Sequence, residues 1–146
     1  MFLLDNINHS IIKQLPQKKM SHLSTIRTKI KDKDALLQAL QVLNYEVEVD
    51  KTMVNPANHQ HEELTVHVTA GKDIGFRLNP ATETYELVTD LQTWNQPIPV
   101  ERFLDKLSQQ YARTILHAAV KEEGFQIAEE WEMDDNSIEL TVTRWD

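Results

Sequence analysis

Apolar and polar residues alternate along a series of short stretches in this chain, and this period-two pattern constrains its fold more than any other feature. The stretches are residues 23–30, 45–50, 64–69, 74–78, 84–88, 125–133 and 138–145. Alternation is typical of half-buried β-strands. Because most of these strands are too close in sequence for helical crossovers, the pattern favours an antiparallel sheet of about six to seven strands.

Two stretches instead show the spacing of amphipathic helices. The first begins at Asp32, a good N-cap, and ends at Asn44, where a left-handed C-cap is expected; its apolar stripe is Leu36, Leu37, Leu40 and Leu43. The second follows Pro97 and Pro99 and ends at Gly124, and its stripe is Phe103, Leu104, Leu107, Tyr111, Ile115, Ala118 and Ala119.

These elements run β-α-β-β-β-β-α-β-β, and the order predicts an α+β fold. We expect one antiparallel sheet with both helices on one face. The chain lacks the regular strand–helix alternation of a doubly wound nucleotide-binding fold.

Two parts of the sequence also resemble each other. Residues 36–47 resemble residues 116–127, since each stretch reads as helix, capping Asn or Gly, aromatic residue and strand; Glu63–Val66 recurs as Glu139–Val142. A βαββ pseudo-repeat that arose by duplication explains this internal similarity, and chance agreement of a few apolar positions is the alternative.

Residues 1–19 differ from the remainder and are predicted to be an N-terminal extension outside the fold, with residues 20–146 forming a single α+β domain. The extension carries three lysines against Asp5, a net charge of +2. Leu4, Ile7, Ile11 and Leu15 fall at helical spacing before Pro16. One interpretation places the natural start at Met20; the other makes this stretch an amphipathic arm that docks on a partner or on its own domain.

Composition excludes several classes of function. The formal net charge is -8, so a generic nucleic-acid partner is not expected, because counterion release requires a cationic surface. Cysteine is absent, which removes disulfide scaffolds, thiolate metal sites and cysteine nucleophiles. No apolar run approaches the roughly 20 residues of a transmembrane segment. No phosphate-cradling glycine motif is found, and no cofactor is expected.

Histidines supply the weak candidates for a metal site. His59, His61 and His67 lie close in sequence, and neutral imidazoles at such spacing can bind zinc, copper or nickel. The spacing is not that of the metalloprotease helix, and a solvated loop pair with one surface strand residue explains the same pattern.

Aromatic and proline residues supply the candidate protein-binding site, formed by Trp94, Pro97, Ile98, Trp131 and Trp145. The connection from Thr93 to Pro99 is more apolar than an ordinary solvent-exposed loop. With Phe76 and Tyr85 from neighbouring strands, the tryptophans are expected to form a shallow aromatic groove on the outer sheet face. The alternative is that Trp94 covers an open end of the core.

Charged residues on two strands predict how those strands pair. Arg27, Lys29 and Lys31 are expected to point away from the helices, as are Glu46, Glu48 and Asp50. If the two strands are neighbours in the sheet, opposite charges meet between them.

Several motifs together resemble the family known as hypothetical chloroplast reading frame thirty-five, a domain of unknown function found in cyanobacteria and algal plastids. They are Met20–Ile26 with Lys29 and Ile30, Asp73–Phe76, Tyr85–Val88 with Asp90 and Trp94, Phe103, Leu107, Gln110–Ala112, Gly124–Phe125 and Arg144–Trp145. Asn44 and Asn136 stand where the family often has Gly, and residues 55–63 match the family poorly. The resemblance implies a protein of the cyanobacterial cytoplasm or the plastid stroma, and it carries no catalytic residues over.

The sequence therefore favours a non-enzymatic accessory protein that binds another protein, in assembly or regulation of the photosynthetic machinery as the family context implies. The alternative is a small-ligand or metal-binding module that uses the aromatic groove or the His59, His61 and His67 cluster. An enzyme with a minimal carboxylate or histidine site is a third hypothesis. A homodimer formed through an exposed edge strand such as Leu64–Thr69 also stays open.

Overall fold

The structure, a computed structural model, describes residues 23–54, 61–68 and 74–144. Residues 1–19 lie outside this description. Its elements are β1 Ser24–Arg27, α1 Lys33–Val42, β2 Val47–Val54, β3 His61–Val68, β4 Ile74–Asn79, β5 Thr84–Thr89, α2 Val100–Glu122, β6 Phe125–Glu132 and β7 Ile138–Arg144. The predicted order of strands and helices is confirmed.

The strands divide between two antiparallel sheets. Five strands form one sheet in the order β1-β5-β4-β3-β2, and β6 pairs with β7 in a second sheet. The α+β class is thus confirmed, whereas the single sheet of about six to seven strands is wrong for the described residues. Alternation reports that a strand has one buried face; it does not report which surface covers that face.

Each sheet contains a hairpin that directly follows a helix. The β2–β3 hairpin follows α1 and joins the large sheet, and the β6–β7 hairpin follows α2 and stays separate. The βαββ duplication stays a prediction.

Helix α1 begins and ends where its local chemistry predicts. The Asp32 carboxylate accepts a hydrogen bond from the Ala35 amide at 3.0 Å and satisfies one free N–H of the first turn. Asn44 has φ 68°, the left-handed conformation of a C-terminal cap. Leu36 and Leu40 point into the core between these ends.

Helix α2 begins after Pro99 and is followed by Gly124 at φ 82°. Phe103 and Leu107 in its first half are buried. One turn further on, the Tyr111 hydroxyl accepts hydrogen bonds from the backbone amides of Lys31 and Asp32, at 3.1 and 2.9 Å. These bonds join the middle of α2 to the start of α1.

A single buried cluster joins both helices to one face of the large sheet, which we call the inner face. Helix residues Leu36, Leu40, Phe103 and Leu107 pack with inner-face residues of β4 and β5, namely Ile74, Phe76, Tyr85 and Leu87. The prediction that both helices lie on one face is confirmed for the described residues.

The outer face of the large sheet carries a buried carboxylate. Glu86 is 7 % exposed; it accepts a hydrogen bond from Asn79 at 2.7 Å and forms an ion pair with Arg77 at 3.6 Å. The predicted pairing of the Arg27 row with the Glu46 row is wrong, because β1 and β2 occupy opposite edges of the sheet.

The end of the β2–β3 hairpin covers part of this outer face. Asp50 in β2 has φ 58°, a conformation that changes the direction of a strand. Beyond it, Met53 packs with Val88 of β5 and with Leu23. Two strands separate β2 from β5 in the sheet, so this contact requires the hairpin to turn across the outer face.

The depth of Leu40 generates a stability prediction. Its side chain is fully buried at 0 % exposure, whereas Val42 in the same helix is 59 % exposed. We expect Leu40→Ala to lower the free energy of unfolding by about 2–5 kcal/mol through lost transfer energy and a cavity. Val42→Ala is the matched control and should change it by less than about 0.5 kcal/mol. Urea unfolding measures both, and equal effects would contradict this placement of the core.

Candidate functional site

A pocket with a volume of about 210 Å³ opens where the end of α1, the start of β2 and the beginning of α2 meet. Its lining consists of Leu43, Tyr45, Pro97, Ile98, Phe103 and Lys106. Two of the predicted contact residues, Pro97 and Ile98, therefore line the same recess. We call it the Pro97 pocket.

Trp94 holds the loop that forms one wall of the Pro97 pocket. Its indole Nε1 donates a hydrogen bond to the Ile98 carbonyl at 2.8 Å. Its ring meets Phe103 edge-on, with centroids 5.5 Å apart. Trp94 is half-buried against the core, so it acts chiefly by fixing the positions of Pro97 and Ile98.

Aromatic packing also fixes the opposite wall. Tyr45 meets Phe103 edge-on at 5.3 Å between centroids. Burial raises the pKa of Tyr45, so its hydroxyl stays protonated at neutral pH. Among the described lining residues Lys106 alone is charged. The pocket therefore offers an apolar interior with one ammonium group at its lining.

Trp131 lies elsewhere, on the β6–β7 hairpin. This hairpin packs against the second half of α2, and its register shifts between Ile127 and Glu129. The shift is a β-bulge, and a bulge reverses the faces of the residues that follow it. Without it, Trp131 would share the helix-facing side with Phe125 and Ile127. With it, Trp131 lies on the outward face and is 47 % exposed.

The same bulge turns two carboxylates toward α2. Arg113 donates hydrogen bonds to Glu132 at 2.7 Å and to Gln110 at 2.8 Å. Its Nε lies 3.2 Å from a Glu130 oxygen, an ion-pair distance without hydrogen-bond geometry. The other Glu130 oxygen accepts a hydrogen bond from His117 at 2.7 Å. These contacts fasten the hairpin to the helix.

That hydrogen bond from His117, together with the nearby Arg113 charge, lowers the pKa of Glu130 below its ordinary value of 4.5. Glu130 therefore stays ionised at neutral pH and has its partners within the fold. This arrangement explains the His–Glu pair as a structural tie between α2 and β6.

The other predicted residues are not gathered at either place. Phe76 and Tyr85 lie in the core on the inner face of the large sheet, while Trp131 belongs to the second sheet. The predicted aromatic groove on the outer face is therefore not assembled from them. Trp145 lies outside the described residues.

The histidine cluster falls largely outside the described residues. His59 lies in an undescribed segment, and only the backbone positions of His61 and His67 on β3 are described. Within the described part of the chain, no group of three His, Cys, Asp or Glu residues is placed to hold a metal ion. No described helix is both long and apolar enough to cross a membrane.

Sequence reasoning missed Leu43, Tyr45, Phe103 and Lys106 as pocket residues. Leu43, Tyr45 and Phe103 belong to the predicted strand and helix patterns, and the apolar loop from Thr93 to Pro99 was the available signal for a pocket. Their meeting depends on how the end of α1 packs against the start of α2, which no local pattern reports.

Comparison with known proteins gives a consistent family match. The family model described as "Protein of unknown function (DUF1257)" matches residues 39–141. The chain is 38 % identical over 128 residues to the uncharacterized protein ycf35 of Cyanophora paradoxa, covering 86 % of this chain and 98 % of that relative. The ycf35 proteins of Pyropia yezoensis and Guillardia theta are each 37 % identical over the same shares. No solved structure gives a significant match.

The lowered pKa of Glu130 generates a pH prediction. A carboxyl group with a lowered folded-state pKa stabilises the fold above its unfolded pKa, and this contribution is lost as the pH falls through the folded pKa. We expect the stability of the wild type to fall more steeply below about pH 4.5 than that of Glu130→Gln. Urea unfolding at a series of pH values measures the difference.

The matched control is Glu129→Gln, which removes the neighbouring carboxylate from the outward face of the same strand. Its stability should follow the pH dependence of the wild type. Identical pH profiles for the wild type and Glu130→Gln would show that Glu130 is not the titrating tie.

Proposed function

This chain belongs to the DUF1257 family of proteins of unknown function. From the surface of this chain we propose that it is a non-enzymatic protein that acts by binding another protein. The observation that carries the proposal is the Pro97 pocket. A fixed apolar recess of this kind receives an anchor side chain of a partner in many protein interfaces.

The size of the pocket supports a side chain rather than a cofactor as its occupant. Sites for drug-sized ligands usually span roughly 300–1,000 Å³, and the Pro97 pocket holds about 210 Å³. That volume suits one large apolar side chain. The rigid walls supplied by Trp94, Tyr45 and Phe103 reduce the ordering cost of binding.

The charge at the pocket adds a preference. The Lys106 ammonium lies among the lining residues, so a carboxylate next to the partner's anchor would be favoured. Such a contact at the rim adds more to specificity and association rate than to affinity.

The hairpin residues Trp131 and Trp145 form the second proposed contact. Trp131 is 47 % exposed, and an exposed tryptophan is among the side chains enriched at binding hot spots. Trp145 follows the described end of β7 by one residue.

The family supports a place of action as well. Its relatives include the ycf35 proteins of Cyanophora paradoxa and Pyropia yezoensis. We propose that the protein acts in the cyanobacterial cytoplasm or the plastid stroma, in assembly or regulation of the photosynthetic machinery.

A small apolar ligand is the second candidate occupant of the Pro97 pocket, because the recess has an apolar interior and a cation in its lining. A thermal-shift screen against metabolites and divalent metals distinguishes it, since a specific ligand raises the midpoint of unfolding. A rise that Pro97→Glu abolishes would favour the ligand over the protein partner.

Capture of a partner tests the protein-binding function. Tagged wild-type protein should recover a stoichiometric partner from native lysate, and Pro97→Glu should lose it, because a carboxylate at the exposed rim opposes insertion of an apolar anchor. Thr93→Glu adds the same charge at an exposed position outside the lining and should retain the partner. Equal recovery by both variants, or no stoichiometric partner with the wild type, would overturn the proposal.

A further inference from the structure

The outward face of the β6–β7 hairpin combines an exposed tryptophan with acidic side chains. Register places Glu139 directly opposite Trp131, and Glu129 opposite Thr141 on the same face. Directly opposed residues have Cβ atoms about 4.5–5.5 Å apart. The exposed indole ring of Trp131 therefore has Glu139 directly opposite it and Glu129 two residues away on the same face.

These outward carboxylates differ from the inward pair. Glu130 and Glu132 are paired with Arg113 and His117 of α2. Glu129 and Glu139 form no ion pair with another described residue. The bulge thus gives cationic partners to one pair of carboxylates and leaves the other pair beside Trp131 facing solvent.

The second half of α2 and the β6–β7 hairpin bury their side chains only in part. Every residue from Tyr111 to Arg144 is described, and none of them is fully buried. Trp131 is the large apolar side chain that the outward face exposes, whereas Val142 lies opposite Ile127 on the helix-facing side. Helix α2 supplies the packing that a two-stranded sheet needs on its inward side, and the outward side leaves the Trp131 ring for a partner to cover.

We propose that this outward face, centred on Trp131 and flanked by Glu129 and Glu139, docks a segment of the protein partner that carries arginine. The inference rests on the proposed function and names the chemistry of its partner. A guanidinium group can stack on the indole ring and at the same time donate hydrogen bonds to the flanking carboxylates. Lysine offers the charge without the planar stacking.

Charge decides against other occupants. Residues 111–144 carry eight carboxylates against three arginine or lysine residues, a net charge of -5. A second copy would bring two surfaces of the same sign together, and nucleic acid or an anionic membrane would be repelled likewise. An arginine-bearing segment is attracted by the same charges.

Peptide titration tests this site on the full chain. The probe is a ten-residue peptide of alternating arginine and alanine, and the comparison peptides carry glutamate, glutamine or lysine in place of arginine. We expect the arginine peptide to shift the backbone amide NMR signals of Glu129, Trp131 and Glu139 saturably, and the lysine peptide to bind more weakly. Equal shifts with the glutamate or glutamine peptide would overturn the proposal.

Variants separate a specific site from general attraction by an acidic protein. Trp131→Ala should weaken binding of the arginine peptide by about two- to fivefold, with Trp131→Phe in between. The double variant Glu129→Gln/Glu139→Gln should weaken it by about threefold or more. Glu122→Gln/Glu123→Gln removes the same charge at the end of α2 and should leave the affinity unchanged. Equal losses in both double variants would overturn the proposal.

The outcomes distinguish this inference from the proposed function. If Pro97→Glu abolishes partner capture while Trp131→Ala leaves the measured affinity for that partner unchanged, the proposed function stands and the arginine-docking site is refuted. If no partner is captured while the arginine peptide still binds at Trp131, the docking chemistry stands and the proposed function fails.

Discussion

Burial of one aromatic side chain, Phe103, determines how the start of α2 packs against the end of α1 and the start of β2. Its ring is almost fully buried at the first turn of α2. It is met edge-on by Tyr45, which lies two residues before β2, and by Trp94 from the loop before α2. Edge-to-face contacts add about 0.5–1.5 kcal/mol beyond area burial. The same three rings that close this end of the core also shape the walls of the Pro97 pocket, so a single packing event creates both.

Local chemistry in the sequence was sufficient for the elements and their ends. Asp32, Asn44 and Gly124 cap helices as their side chains or their freedom at positive φ predict, and Asn136 adopts positive φ in the last hairpin turn. The partition into two sheets could not be predicted this way. The alternation in β6 and β7 requires cover for one face of the hairpin. The hairpin could obtain that cover by joining the large sheet under both helices or by packing alone against α2, and the choice depends on contacts distant in sequence.

The candidate site was predicted in part for the same reason. Pro97 and Ile98 were identified from an apolar loop, and they line a pocket. Tyr45 was missed because it reaches the pocket from an element far away in the chain, before β2. The bulge in β6 has no clear local signature, although it decides which side of the hairpin Trp131 occupies. Mutual support between Glu130, Arg113 and His117 explains why that register holds.

The uneven distribution of buried side chains has a consequence for cooperativity. Helix α2 is continuous from Val100 to Glu122, yet its last buried residue is Gln110. Amide exchange in its first half should report global unfolding, whereas exchange beyond Gln110 and in the hairpin should proceed through low-energy local opening. Helix α2 thus crosses a boundary between a more stable and a less stable region of the fold. If a partner orders the less stable region, which is the second half of α2 and the hairpin, that ordering would extend along α2 to the core.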